Sequence, residues 1–142
     1  MGRPLVTIGM PVYNAARTLA VALASIERQT FRDWELVIVD DGSRDATEEV
    51  LGRIADPRIR VVRDGRNLGL AARLNEIVAT AQGEYFARMD ADDVAYPARL
   101  AAQVDFLAAH PEVDLAGCGA LVFGEGGEPL GRFPLRATHA GI

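Results

Sequence analysis

Apolar and polar positions follow two rhythms along the chain. "LVTIGM" (5–10) is an apolar run of strand length, and Leu19, Ala22, Leu23 and Ile26 then fall at the i, i+3, i+4, i+7 spacing of a helix. Asn14 stands ahead of that stripe as its expected N-cap. "WELVIVD" (34–40) is apolar on both faces, as a buried parallel strand should be. Asp45 and Glu48 have the spacing of a capping box that opens a helix running to about Ile54. "RIRVV" (58–62) predicts a short third strand. Leu70, Leu74, Ile77, Val78 and Ala81 predict a further helix, with Gly83 as its stop. "EYFARMDA" (84–91) predicts a fourth strand. Leu100, Val104 and Leu107 mark a helix that starts near Pro97, a favoured first-turn residue, and ends before Pro111. "VDLAGCGALVF" (113–123) predicts a fifth strand, and "GEGGEPLG" a hairpin turn.

Strands that alternate with helices imply an α/β fold, a parallel sheet covered on both faces and joined by right-handed crossovers. Ligands of such sheets gather at the carboxyl ends of the strands. The candidate chemistry falls at those ends: Pro11, Tyr13 and Asn14 after the first strand, Asp40 and Asp41 after the second, Asp90 to Asp93 at the end of the fourth.

Composition narrows the field. The 142 residues, half of them apolar, suit one domain with its own core. No run of eighteen apolar residues occurs, so no membrane-spanning helix is predicted, and "MGRPLVTIGMPVYN" lacks the apolar core of a secretion signal. Cys118, the single cysteine, lies in an apolar run and is expected to be a small buried hydrophobe in a reducing compartment. The net charge is −5, and all fifteen basic residues are arginine. No basic block or aromatic ladder suggests nucleic acid. An acidic protein of this kind that binds a phosphate is expected to use a metal ion.

The acidic stretch carries the most specific signal. Along an extended strand Phe86, Arg88, Asp90 and Asp92 would share one face. Two carboxylates two residues apart can hold a hard divalent cation such as Mg²⁺ or Mn²⁺, which takes only one or two protein oxygens when a diphosphate supplies the others. Arg88 could neutralise or hold Asp90. The competing reading is that Asp92 or Asp93 caps the helix near Pro97, but that leaves two of three aspartates unexplained. "DDGS" (40–43) is equally ordinary turn chemistry, and only its place at a central strand end favours a ligand. Asn14 can cap, Tyr13 can pack, and Arg73 is more often a solvated charge than a phosphate clamp. His110 is expected at a helix C-terminus, where its partial charge suits the dipole.

Taken together, "MPVYNAARTLAVALASIERQTFRDWELVIVDDGSRDAT", "NLGLAARLNEIVATAQGEYFARMDADD" and "YPARLAAQVDFL" resemble the family 2 inverting glycosyltransferases, over roughly residues 4 to 124. The resemblance implies a GT-A fold: a Rossmann-like three-layer sandwich with a mostly parallel central sheet. It implies a nucleoside diphosphate sugar as donor, often a UDP-sugar, and a carbohydrate or lipid-linked acceptor. "DAD" (90–92) matches the family's D-x-D motif, which makes Asp92 the main ligand of Mg²⁺ or Mn²⁺ and puts Asp90 and Ala91 beside the donor. Asp41 matches the carboxylate that hydrogen-bonds the base, with Asp40 beside it. Pro11, Tyr13 and Asn14 match the loop that packs on the base, and Arg73 lies where the family places a basic residue near the nucleotide. Location in the cytoplasm, at the cytoplasmic face of the membrane, is implied by the family alone.

The general base of an inverting enzyme belongs to an acidic motif well beyond D-x-D, and is therefore expected beyond Ile142, as is the acceptor-binding part. The expectation is a truncated single domain, 1–142, that binds donor but transfers sugar poorly, with an uncovered hydrophobic edge that favours self-association. Other readings fit less well. A phosphoacceptor receiver domain needs a lysine, and a sugar nucleotidyltransferase needs a glycine-rich basic loop after the first strand; neither is present. A non-catalytic nucleotide-binding or interaction module of the same fold remains the alternative.

Overall fold

A computed structural model describes residues 2–124 and 126–133. They fall into two compact units, Met1–Ala101 and Ala102–Ile142. The first unit holds β1 (Val6–Val12), α1 (Leu19–Glu27), β2 (Trp34–Asp40), α2 (Thr47–Leu51), β3 (Ile59–Arg63), α3 (Leu70–Thr80) and β4 (Tyr85–Arg88). Helix α4 (Arg99–Ala109) begins there and runs into the second unit, which adds β5 (Ala120–Phe123) and β6 (Pro129–Phe133).

The four strands of the first unit form a parallel sheet in the order β3-β2-β1-β4. The chain steps outward from β1 to β3, then crosses back over β1 to β4. The order of travel therefore reverses between β1 and β4, and in sheets of this kind the ligand crevice lies there, outside the carboxyl ends of the strands.

Side-chain alternation divides the core into two layers. On one face, Gly9, Val37 and Val39 meet α3 through Ile77, and Phe86 lies across Gly9. On the other face Ile8 and Ala87 meet Ile26 and Gln29 near the end of α1, together with Leu100 at the start of α4. Central strand β2 is buried from Leu36 to Asp40, as its two-sided apolar sequence requires. This is the α/β sandwich with a mostly parallel sheet that the sequence predicts.

Several local expectations are corrected. The α3 stripe is rotated: Arg73 and Ile77 are buried, while Leu70 and Val78 are 52% and 54% exposed. Gly83 does not end α3, which stops at Thr80. A Cβ at Gly83 would lie 2.4 Å from the Thr7 amide nitrogen, so glycine is needed there to let the chain enter β4 against β1. Asp45 accepts the Thr47 N–H at 3.0 Å, but Glu48 pairs with Arg63 instead of closing a capping box, and α2 is one turn long. Strand β4 stops at Arg88, so the acidic stretch lies in the following loop and not on a pleated face.

In the second unit α4 ends at Ala109 and His110 follows it, its ring 4.6 Å from Phe106 and its Nδ1 3.2 Å from Glu112. The expected fifth strand is shorter, Ala120–Phe123, and pairs antiparallel with β6 around the glycine-rich turn rather than joining the main sheet. Cys118 is exposed, not buried. His139, which the sequence left without a role, lies outside the described residues. Among the described residues, no helix is long and apolar enough to cross a membrane.

Candidate nucleotide-sugar site

The carboxyl edge of the sheet collects four loops. The first two are bolted together. Asn14 has φ +50°, a conformation that asparagine tolerates better than most residues. It does not cap α1; Thr18 occupies that position. Instead its Oδ1 accepts the Arg44 N–H at 2.8 Å, and its own N–H donates to Ser43 Oγ at 2.9 Å. Ser43 in turn donates from both N–H and Oγ to Asp40 Oδ1, at 3.0 and 2.6 Å. Ala15 N–H donates to Thr47 Oγ1, and Ala16 N–H to Asp45. Asp40 is thus a buried turn-former with Oδ2 uncommitted among the described contacts. Tyr13, in the same loop as Asn14, is half exposed.

Asp41 is the hub of the third loop, residues 64–69. Its Oδ1 accepts the Leu68 N–H at 2.7 Å and Arg73 Nε at 2.8 Å, while Oδ2 accepts the Gly69 N–H at 3.0 Å. Its carbonyl accepts Asn67 Nδ2 at 3.0 Å. Gly42 follows at φ +75°, where a Cβ would sit 3.0 Å from the Arg66 backbone, so the two loops touch only because this residue is glycine. A carboxylate offers about four acceptor positions, and protein fills three, leaving one on Oδ2.

Arg73 makes that arrangement rigid. It is 1% exposed, not a solvated charge. Besides Asp41, it donates to Asp64 at 2.6 and 3.2 Å, to Glu76 at 2.8 Å and to the Arg66 carbonyl at 2.6 Å. All five guanidinium N–H groups are committed to protein acceptors. The charges respond accordingly. Burial alone would push Asp41 up, but the Leu68 N–H, the Arg73 guanidinium and the Gly69 N–H outweigh it and hold the carboxyl below its usual range. The Arg73 guanidinium, aided by the Arg66 N–H, holds Asp64 lower still. Asp64 and Asp41 in turn raise Arg73.

The acidic loop leaves the sheet where Met89 N–H donates to the Gly9 carbonyl at 3.0 Å, on the β4 side of the crevice. Arg88 grips Asp90 through two hydrogen bonds of 3.0 Å, the pairing expected of it. Ala91 is buried, whereas Asp92 is exposed and takes no hydrogen bond or ion pair among the described residues. Asp93 N–H closes a turn onto the Asp90 carbonyl at 3.2 Å. The Asp93 carboxyl is pushed up by partial burial and by repulsion from Asp92 and Asp90. Neither aspartate supplies the helix cap of the competing reading: the Leu100 N–H at the start of α4 goes to Gln29 Oε1 at 3.0 Å.

This donor set fits a divalent ion of the hard, oxygen-binding kind. It offers one unengaged carboxylate beside a second that a guanidinium already orients. Among the described residues no three His, Cys, Asp or Glu side chains converge on a point, so such an ion would take one or two protein oxygens and the remainder from a ligand. Two residues that shape the site carry no obvious sequence signal, Gln29 and Asp64. Gln29 continues the apolar spacing of Leu19, Ala22 and Ile26 onto a polar residue, and Asp64 opens an Asp-Gly turn.

The sequence profile of the family described as glycosyl transferase family 2 matches residues 7–132, which includes every element of the first unit. The chain belongs to that family. It is 41% identical over 127 residues to EpsE of Bacillus subtilis (strain 168), a protein named as a glycosyltransferase; the match spans 87% of this chain and 46% of EpsE. Among solved structures it resembles S. aureus TarS 1–349 in complex with UDP-GlcNAc, with a TM-score of 0.70 and 25% identity over 75% of this chain and 32% of TarS 1–349. It also resembles the mannosyltransferase PcManGT of Pyrobaculum calidifontis in complex with GDP-Man and Mn²⁺, with a TM-score of 0.67 and 35% identity over 75% of this chain and 33% of that one. The chain thus spans less than half the length of each of these proteins. The solved neighbours are glycosyltransferases of the GT-A fold, the architecture that the sequence predicts.

Proposed function

We propose that the first unit binds the nucleoside diphosphate part of a sugar donor across the carboxyl edge of the sheet, and that the protein transfers the sugar to an acceptor hydroxyl with inversion. One observation carries the reading: Asp41, locked by Leu68, Gly69 and Arg73, keeps a single acceptor position on Oδ2. An acceptor-only group of that kind suits a base with a ring N–H on its pairing edge, the imide of uracil or thymine or the lactam of guanine, and repels the ring acceptor of cytosine. The complexes of the neighbours with UDP-GlcNAc and GDP-Man are consistent with this choice. A UDP-sugar is the preferred donor of the proposal.

The remaining roles follow from position. Pro11 and Tyr13 flank the base, with Asn14 fixing their loop against Ser43 and Arg44. Arg73 acts on the nucleotide through Asp41, since none of its donors is left for a phosphate. Asp90, steadied by Arg88, faces the ribose or sugar side, with Ala91 between it and Asp92. Asp92, with Asp90 as second oxygen donor, would hold Mg²⁺ or Mn²⁺. The chemistry that such an ion supplies when bound is charge neutralisation of the departing diphosphate. An acceptor that is a carbohydrate or a lipid-linked carbohydrate completes the proposal.

Thermal stability in the presence of UDP, GDP, dTDP, ADP and CDP, each with and without Mn²⁺, tests the reading. A ligand that binds only the folded state raises its stability according to concentration over Kd. The expected result is a Mn²⁺-dependent rise with UDP or another nucleotide whose base carries such a ring N–H, absent with CDP and lost in Asp92→Ala. A rise of equal size with all five, or one that survives Asp92→Ala, would overturn it.

A further inference from the structure

The acidic loop is not a free arch. One foot is pinned to the sheet at Met89. The other, residues 95–100, is pinned to the end of α1 by side chains that the nucleotide site does not otherwise use. Ala95 N–H donates to Ser25 Oγ at 3.1 Å, and the Pro97 carbonyl accepts from Thr30 N–H at 2.8 Å and Thr30 Oγ1 at 3.2 Å. Between them sits Gln29, with 0% of its surface exposed. Its Nε2 donates to the Tyr96 carbonyl at 2.7 Å and to the Ser25 carbonyl at 3.3 Å, while Oε1 accepts the Leu100 N–H at 3.0 Å.

A fully buried amide that spends two donors on carbonyls and its oxygen on an N–H can be replaced by no other side chain of that length. Glutamate lacks the donors and would set its charge against two carbonyl oxygens; leucine would leave three backbone groups unpaired. The bonds reach from the last turn of α1, by way of Tyr96 and Leu100, to within four residues of Asp92. Arg99 ties the two feet to each other, its Nη2 donating to the Arg88 carbonyl at 2.9 Å, whereas Gln29, fully buried, ties the second foot to the end of α1.

We propose that Gln29 is a positioning residue for the Asp90–Asp92 carboxylates: it sets where Asp92 stands, and so the affinity of the site for a divalent cation, without touching cation or nucleotide. The inference rests on the reading of Asp92 as a metal ligand. Groups that orient metal ligands from behind typically change metal affinity roughly 10- to 100-fold when replaced.

The test uses Mn²⁺ as probe, read from the electron paramagnetic resonance signal of the free ion, in the presence of saturating UDP. Wild type, Gln29→Leu, Gln29→Glu, Thr30→Val and Asp92→Ala are compared. Thr7→Val serves as a control that weakens the amino end of the sheet, where Thr7 Oγ1 bonds Glu35 and the Gly83 N–H far from the loop. Nucleotide affinity without metal is measured by calorimetry in EDTA, and amide hydrogen exchange of Ala95 and Leu100 is followed in the free protein. The expected result for Gln29→Leu is a Mn²⁺ Kd raised roughly tenfold or more, unchanged metal-free UDP affinity, and faster exchange at Leu100. Thr30→Val should move the Mn²⁺ Kd in the same direction by less, which keeps the test decisive if Gln29 variants do not fold. Unchanged Mn²⁺ affinity in Gln29→Leu, or an equal loss in Thr7→Val, would overturn the proposal and leave Gln29 a purely structural residue. Absence of UDP-dependent Mn²⁺ binding in wild type would instead sink the reading of Asp92.

Discussion

Removing Arg73 should do more damage than removing any surface charge of this protein. Arg73→Met keeps the apolar stem that packs beside Ile77 but deletes the guanidinium. Asp41 then loses its charge partner while remaining buried and still bound to Leu68 and Gly69. Breaking a buried pair from one side generally costs about 3–5 kcal/mol. Here the side chains of Asp64 and Glu76 are 29% and 38% exposed and regain water. The lower end, about 3 kcal/mol, is therefore expected. That is a large share of the ~5–15 kcal/mol stability of a typical domain. Urea denaturation followed by fluorescence of the single tryptophan, Trp34, which is 2% exposed in the same unit, reads the loss directly. The pH dependence adds a second check. Asp41 and Asp64 titrate below their usual range when folded, so their stabilisation is complete above the unfolded carboxylate value of about 3.9 and fades as pH falls through it. The gap between wild type and Arg73→Met should thus be widest near neutrality and narrow below about pH 4. A loss under about 1 kcal/mol, the scale of a surface pair, or a gap independent of pH, would refute the view of Arg73 as the clamp of this loop.

Other consequences are equally specific. Gly83→Ala would drive a Cβ to 2.4 Å from the Thr7 amide and 2.7 Å from the Val6 carbonyl carbon, so a loss of about 2 kcal/mol or more is expected in the same urea assay. Gly9→Ala meets side chains rather than backbone, the partly exposed Phe86 ring at 2.5 Å, which can swing aside, and the buried Ile77 Cγ2 at 3.0 Å, so it should cost less than Gly83→Ala. Asp93 titrates above its usual range, so its charge opposes folding as pH rises; Asp93→Asn should stabilise the protein at pH 7, and the gain should vanish below the carboxylate range in a pH series of melting temperatures. Asp92→Ala should leave stability within about 0.5 kcal/mol of wild type, because the side chain is exposed and makes no hydrogen bond or ion pair among the described residues, while metal-dependent nucleotide binding disappears in calorimetry.

The strand–helix alternation was legible because each strand of the sheet is mostly apolar, and β2 is recognisable as central because its apolar residues fall on both faces. Register at the ends was less so. The chain from Tyr85 to Ala91 reads as one strand, yet pairing stops at Arg88 although β1 runs on to Val12, because the next β1 residue due to donate to that side is Pro11, which has no N–H. The α3 stripe misleads for a different reason: Arg73, a charged residue, takes a core position because three carboxylates and a carbonyl meet it there, and no periodicity argument anticipates a buried arginine. Asn14 looks like the cap of its own helix but spends its hydrogen bonds on the neighbouring loop, and Asp45 divides its own between Thr47 and the Ala16 N–H across the loops, a long-range use that local sequence cannot reveal. The residues of the proposed site, Asp41 and Asp92 above all, were visible in the sequence. Their difference in state was not: one is nearly saturated by protein, the other is bare.

The account turns on where the nucleotide sits. Amide chemical-shift mapping of the ¹⁵N-labelled protein with UDP and diamagnetic Mg²⁺ tests that most directly. The account requires the largest shifts at Tyr13 and Asn14, at Asp41 with Leu68 and Gly69, and at Ala91 to Asp93. Shifts centred on the opposite edge of the sheet, at Thr7, Gln82 and Gly83, or none at the acidic loop on adding Mg²⁺, would contradict it.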